Sequence, residues 1–275
     1  MRSTIALLTL VAALPLSAQQ NDPLAFLRRA PDGADRSFAA YRNQPYRPVR
    51  SGEVRSAGFL TELRSMPFGR VLGPVTPPVM HATESSETAL PGSVIAVLPP
   101  PGAAYQRGDT VLLARVVPGP DGWGDIIVPT GLARIGDHTP RQTFATVIAM
   151  YGPVRMGQVA LPLEPVNNPG MVQPVAITGP TGEIIAGRET RELEQVGGVM
   201  FINVGRAAGV RIGDFIAVHR RAGPRLNAAD TADDVVAVAQ VVRVGDKSST
   251  IKLVRVIDPD IRAGAPVVRI ATLPG

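Results

Sequence analysis

An all-β fold of two tandem, repeated small antiparallel barrel or sandwich modules is predicted by three observations. The first is an internal repeat. Pro91–Arg115 aligns without gaps to Val196–Arg220, placing Gly108-Asp109 on Gly213-Asp214 and Arg115 on Arg220 at a shift of 105 (213 − 108). Further on, Arg134-Ile135-Gly136-Asp137 matches Arg243-Val244-Gly245-Asp246 at 109 (243 − 134), and Val154-Arg155-Met156-Gly157 matches Ile261-Arg262-Ala263-Gly264 at 107 (261 − 154). Shifts that change only between apolar runs indicate one supersecondary plan with loops of differing length. The second observation is the spacing of short Val- and Ile-rich runs, separated by Gly, Pro and Asp at near-regular intervals, as strands and turns are. The third is that no useful length of chain carries a 3.6-residue apolar stripe.

Composition is compatible with this. The chain has 275 residues, 45% of them hydrophobic but only 4% aromatic, so its cores are mainly Val, Ile, Leu and Ala. The branched Cβ of valine suits the pleat of a strand. There is no cysteine, which removes disulfides, Cys-zinc sites, thiol nucleophiles and a cysteine-linked lipid.

Taken in chain order, residues 1–18 have the pattern of an export signal. Arg2 precedes an apolar run from Ile5 to Leu16, followed by Ser17-Ala18 at the expected cut. The run is shorter than the roughly 20 residues a membrane-spanning helix needs, so no transmembrane segment is expected after cleavage. Residues 19–57 are expected to be a flexible lead-in, with one short helix over Leu24–Arg29 capped by Asp22-Pro23. Within it, Tyr41–Arg50 suggests an extended tether or, alternatively, a basic strap for a polyanion or partner groove.

The first module is assigned to residues 58–164. Its strands are expected near Gly58–Arg64, Arg70–Val75, Ser93–Leu98, Thr110–Val117, Asp125–Ile135, Thr143–Tyr151 and Gln158–Leu163. A Pro- and Asn-bearing linker, 165–174, leads to the second module, 175–275. Strands there are expected near Val175–Thr178, Glu183–Ala186, Val199–Val204, Phe215–Arg220, Val235–Val244, Ser249–Ile257 and Ala265–Ile270. Long loops are expected at Thr76–Pro91, Gly119–Gly124 and Arg221–Asp234.

Four Gly-Asp pairs recur at strand boundaries: Gly108-Asp109, Gly136-Asp137, Gly213-Asp214 and Gly245-Asp246. Glycine tolerates a positive φ and aspartate can bond the backbone two residues on, so all four are expected to be structural turns. Arg155-x-Gly157 and Arg262-x-Gly264 are expected to turn the chain before the last strand of each module. A carboxylate cluster for metal or acid–base chemistry would require these aspartates to converge, and a repeated turn places them in separate modules.

No catalytic, metal-binding or cofactor-binding constellation stands out. His81, His138 and His219 are far apart in sequence, and no zincin helix, nucleophile elbow or phosphate-cradling glycine loop is present. A non-enzyme is therefore expected. The formal net charge is +5 and the isoelectric point about 10.2, which favours anionic polymers. The arginines are scattered, however, which fits a solvated surface and gives no sign of a nucleic-acid partner. His219, Arg220, Arg221 and Arg225 form the densest basic spot, either a solvated hairpin tip or a docking surface for an anionic partner.

Tyr105–Leu113 and Gly157–Pro162 are similar to the opening and closing strands of a LysM peptidoglycan-binding module. The β-like runs between them exclude its two helices. A better resemblance runs from Gly69-Arg70-Val71-Leu72-Gly73 through both copies of the Gly-Asp and Arg-x-Gly motifs. It is carried most specifically by Val235–Asp246 and Asp260-Ile261-Arg262-Ala263-Gly264. Residues 58 to 272 resemble the non-LysM C-terminal part of secreted bacterial LysM-containing proteins and, more loosely, the C-terminal domain of flagellar assembly protein T. The resemblance implies a non-catalytic, envelope-associated β module, here without a LysM domain upstream. The expected function is an exported structural or adaptor protein of the periplasm or outer surface. The alternative is a peptidoglycan- or glycan-binding protein using its arginine-bearing loops.

Overall fold

A computed structural model describes residues 49–75, 88–139, 142–166, 174–220 and 235–273. The export signal, the Leu24–Arg29 helix, most of the lead-in, His81, and Arg221 and Arg225 lie outside the described residues, as do residues 167–173 of the linker.

Two six-stranded antiparallel barrels follow one another. The first is built from β2 (Gly69–Pro74), β3 (Val94–Leu98), β4 (Thr110–Val117), β5 (Ile126–His138), β6 (Thr143–Met150) and β7 (Val159–Pro162), with a two-residue β1 (Phe59–Leu60) added outside on β5. Pairing runs β5-β4-β7-β2-β3-β6 and closes through β6 and β5. The second barrel uses β9 (Thr181–Gly187), β10 (Val199–Ile202), β11 (Phe215–His219), β12 (Val235–Val244), β13 (Ser249–Val256) and β14 (Pro266–Thr272), and β8 (Val175–Ala176) pairs with β14. Its ring, β12-β11-β14-β9-β10-β13, is the same one strand for strand. In each barrel three consecutive strands are joined by a fourth that returns beside the first of them (β7-β4-β5-β6), a Greek key. Closure leaves few free edges.

Alternation along the strands separates inside from outside. Val71, Ile95, Val97, Val111, Leu113, Ala133, Ile135, Ala145, Val147 and Ala160 fill the first barrel. Ile184, Met200, Ile202, Ile216, Val218, Ala239, Val241, Ile251, Leu253 and Val267 fill the second. Each repeat thus has its own aliphatic core. On the outside of the first barrel, Leu112, Leu132 and Leu161 are covered by Phe59, Met66 and Phe68 from the segment that precedes β2.

Three expectations need correction. The flexible lead-in does not extend to residue 57, because Ser51–Ala57 forms a helix, α1. Its single apolar pair, Val54 and Ala57, is too short to register as a stripe, yet both are buried. Glu53 accepts a hydrogen bond from the Arg50 N–H at 3.0 Å and closes the first turn. The first strand is also shorter than Gly58–Arg64, because Glu62 and Leu63 turn into the left-handed region (φ 53° and 61°).

The third correction concerns the glycines. Gly108 and Gly213 both sit at φ 93°, and Gly157 and Gly264 at 83° and 79°, as repeated turns require. Asp109 and Asp214 brace theirs by accepting the N–H three residues back, from Gln106 at 2.8 Å and Arg211 at 2.9 Å, rather than bonding forward. Gly136 and Gly245 have no positive φ. Gly136-Asp137 lies inside β5 at an irregularity in its pairing with β6, and Gly245-Asp246 forms the tip between β12 and β13. Valine at Gly213 should therefore cost about 1–3 kcal/mol through backbone strain, while valine at Gly136 should stay within about 0.5 kcal/mol. Paired urea melts of the two variants measure the contrast.

Candidate functional site

The two barrels meet across a junction made by residues 49–64. Val49, Val54 and Ala57 pack with Val242 of β12, and Leu60, Ile126 and Val128 pack with the fully buried Phe201 of β10. Polar contacts fix the register. The Glu62 carboxylate, 6% exposed, accepts hydrogen bonds from the N–H groups of Asp246 (3.3 Å), Lys247 (3.0 Å) and Ser248 (2.8 Å) and from the Ser248 hydroxyl (2.8 Å). Burial alone would raise its pKa, but the Ser248 hydroxyl, the N–H groups of Ser248 and Lys247 and Arg64 together hold it below the ordinary value. Arg64 and Arg206 both pair with Asp246. The Thr250 hydroxyl donates to the Gly58 carbonyl at 2.9 Å, and Lys252 meets Glu53 at 2.7 Å. The Arg243 guanidinium lies 3.8 Å over the Phe59 ring and pairs with Glu164 at 2.8 Å.

Beside this junction is a groove of about 1030 Å³ lined by both modules, at the upper end of the size range of ligand pockets. Arg115 and Val116 of β4, Val128–Thr130 of β5, residues 151–153 and 155–158 between β6 and β7, and Val159 of β7 form one side. Ser56 of α1 and Arg188-Glu189 after β9 form the other. Pro129 sits where the β4–β5 pairing shifts register, so Thr130 has no partner on β4. The Thr130 carbonyl instead accepts from Tyr151 and Gly152, and its hydroxyl donates to Gln158 Oε1 at 2.8 Å. Gln158 Nε2 donates to the Pro153 carbonyl at 2.8 Å, which holds the loop in place.

The charge in this groove is unbalanced. Glu189 is already engaged by Arg188 (2.9 Å) and by Arg191, and those hydrogen bonds, Arg191's first, pull its pKa down. Arg188 also donates to the Ser56 carbonyl at 2.9 Å. Burial pushes the Tyr151 phenol up, partly offset by Arg55. Arg115 and Arg155 form no ion pair among the described residues.

The repeat shows why these two are unpaired. Arg220, the counterpart of Arg115, pairs with Asp258 at 2.7 Å, and Arg262, the counterpart of Arg155, pairs with Asp260 at 2.6 Å. At the shift of the Arg-x-Gly motif, Asp258 and Asp260 fall on Tyr151 and Pro153. The second module carries its own carboxylates, and the first has replaced both.

The basic spot expected from sequence is placed differently. His219 ends β11 and Arg220 follows it, away from the groove and with Arg220 partnered by Asp258. In the first module two Gly-Asp pairs lie side by side, for the Gly108 N–H donates to the Ile135 carbonyl at 2.8 Å and Arg107 pairs with Asp137 at 3.0 Å. Among the described residues no three His, Asp or Glu side chains gather as a metal set, and no helix is long and apolar enough to cross a membrane. In the sequence Arg115 and Arg155 stand out only as markers of the repeat. Their signal was the loss of the two aspartates, visible once the motifs are aligned. No known family model matches the chain, and neither a curated protein nor a solved structure matches it.

Proposed function

We propose that this chain is an exported, non-catalytic structural or adaptor protein of the cell envelope, acting through the surface that its two docked modules share. The observation that carries this reading is the junction groove. It is lined by both barrels, lies beside the Glu62 cluster that joins them, and carries two arginines with no ion pair among the described residues. The titratable groups on its walls favour binding over chemistry: Glu189 is held down and Tyr151 pushed up, away from the near-neutral values that suit a general acid or base. The export pattern of residues 1–18 and the resemblance of 58 to 272 to envelope β modules support the location.

Sedimentation of the mature protein with isolated peptidoglycan, at low and moderate salt, tests the reading against direct wall binding. The adaptor reading expects at most a weak association that vanishes at moderate salt, as the generic attraction of a basic protein does. Saturable, salt-resistant binding would overturn it in favour of a glycan-binding protein. N-terminal sequencing of the native protein tests export, for which the expected first residue is Gln19. Recovery of Met1 from the cytoplasm would contradict it.

A further inference from the structure

We infer that the junction groove binds an extended acidic peptide segment of a partner protein, whose carboxylates take the places that Asp258 and Asp260 fill in the second module. This deepens the adaptor reading and rests on it. The arginine pair is one half of the argument. Within one molecule, the repeat shows what these two positions do when carboxylates are present: each arginine closes an ion pair, at 2.7 and 2.6 Å. With Tyr151 and Pro153 in those places, Arg115 and Arg155 are exposed on the groove wall. Arginine's planar fork suits carboxylate oxygens, and such charge-assisted bonds are stronger than neutral ones.

The backbone supplies the other half. β7 pairs with β4 only from Val111 to Ala114, while β4 continues through Arg115, Val116 and Val117, paired on its other side to Val128, Ile127 and Ile126. The Thr110 carbonyl accepts from Leu163 on the β7 side, so alternation turns the even-numbered residues toward that side. The backbone N–H and C=O of Val116 therefore point to a lane where, among the described residues, no strand is paired. That lane is the groove, for Val116 and Val159 both line it. In the second barrel β14 pairs with β11 from Phe215 to Val218, leaving His219 alone of its five residues beyond β14. The longer open edge thus occurs in the same module, and beside the same residues, as the unpaired arginines. A peptide adding as a short strand gains main-chain hydrogen bonds from Val116 and contacts for alternate side chains. Alternating apolar and acidic residues match the apolar Val116, Val159 and Met156 and the basic Arg115 and Arg155 that line the groove.

The test uses the full mature chain and a dye-labelled, end-blocked peptide of four Val-Glu repeats, with four Val-Lys repeats as control. Saturable binding of the acidic peptide is expected, together with a shift of the Val116 amide resonance on titration. Restoring the second module's residues with Tyr151→Asp and Pro153→Asp should pair both arginines internally and weaken binding on the order of tenfold or more, with binding read below the melting temperature of the variant, since Tyr151 also packs on the outside of the first barrel. Val116→Pro, which removes an N–H that no strand uses, should also abolish binding, and circular dichroism checks that its fold survives. Three results would each overturn the inference: no binding of the acidic peptide at millimolar concentration, equal binding of the Val-Lys peptide, or undiminished binding by the double-aspartate variant. Displacement of the peptide by soluble peptidoglycan fragments at moderate salt would give the arginines to a wall ligand instead. The peptide measurement reads the groove alone, so its failure without wall binding would leave the adaptor reading standing.

Discussion

Truncation of Phe201 to alanine is expected to destabilise the protein by about 3–5 kcal/mol, the range for removing a fully buried phenylalanine. Phe201 belongs to β10 of the second barrel, yet the buried residues around it are Leu60, Ile126 and Val128 of the first. A void there would loosen the junction as well as the barrel that carries it. The chain has one tryptophan, and Trp123 packs against this same cluster, so its emission should shift to longer wavelength as the junction opens. Chemical denaturation followed by fluorescence measures both effects. A cost below about 0.5 kcal/mol, the level of ordinary surface substitutions, would mean that the modules are not packed through Phe201.

Removal of the Glu62 carboxylate has the second largest expected effect. Glu62→Ala leaves three backbone N–H groups and a hydroxyl without their acceptor, and we expect a loss of about 3 kcal/mol. The same cluster makes docking sensitive to acid. The folded-state pKa of Glu62 lies below its ordinary 4.5, so its contribution is fully present above that value and is lost as the pH falls through the folded value. Glu53 at the Lys252 pair is lowered too. There burial would raise it, and the Arg50 N–H and Lys252 outweigh burial. Acid titration should therefore release the junction, reported by Trp123, and Glu62→Ala should shrink the Glu62 part of that response. Gly245→Val is expected to act through the same contact, since a Cβ there would stand 2.3 Å from Glu62 Oε1.

The repeat, the positions of most strands and the turns at Gly108, Gly213, Gly157 and Gly264 were legible because each depends on a local pattern: alternation, a small residue, a nearby aspartate. Gly136 and Gly245 carry the same dipeptide without the positive φ, so a motif alone does not determine backbone conformation. Helix α1 escaped notice because it has seven residues and two apolar anchors. Its reason for existing is Val242, far along the chain. Glu62 reads as an ordinary surface glutamate until the 245–248 tip is brought to it. The groove was half legible. Arg115 and Arg155 were already aligned to Arg220 and Arg262, and the missing aspartates stood in the same alignment. Only the folded second module shows those aspartates holding the arginines, which is what gives their loss a meaning.

The contacts that lock the junction also set an order of events. Glu53 meets Lys252, and Glu62 meets Ser248, across 199 and 186 residues. Each barrel can close on contacts within its own hundred or so residues, but α1 and the Glu62 segment have no seat until β12 and β13 exist. Long-range closure carries the entropy of the whole intervening chain. During synthesis the first of these partners therefore waits for nearly the last strands to arrive. The shared groove takes its shape only when the chain is almost complete, so a truncated or half-folded copy could hold one sound barrel and still present no such surface.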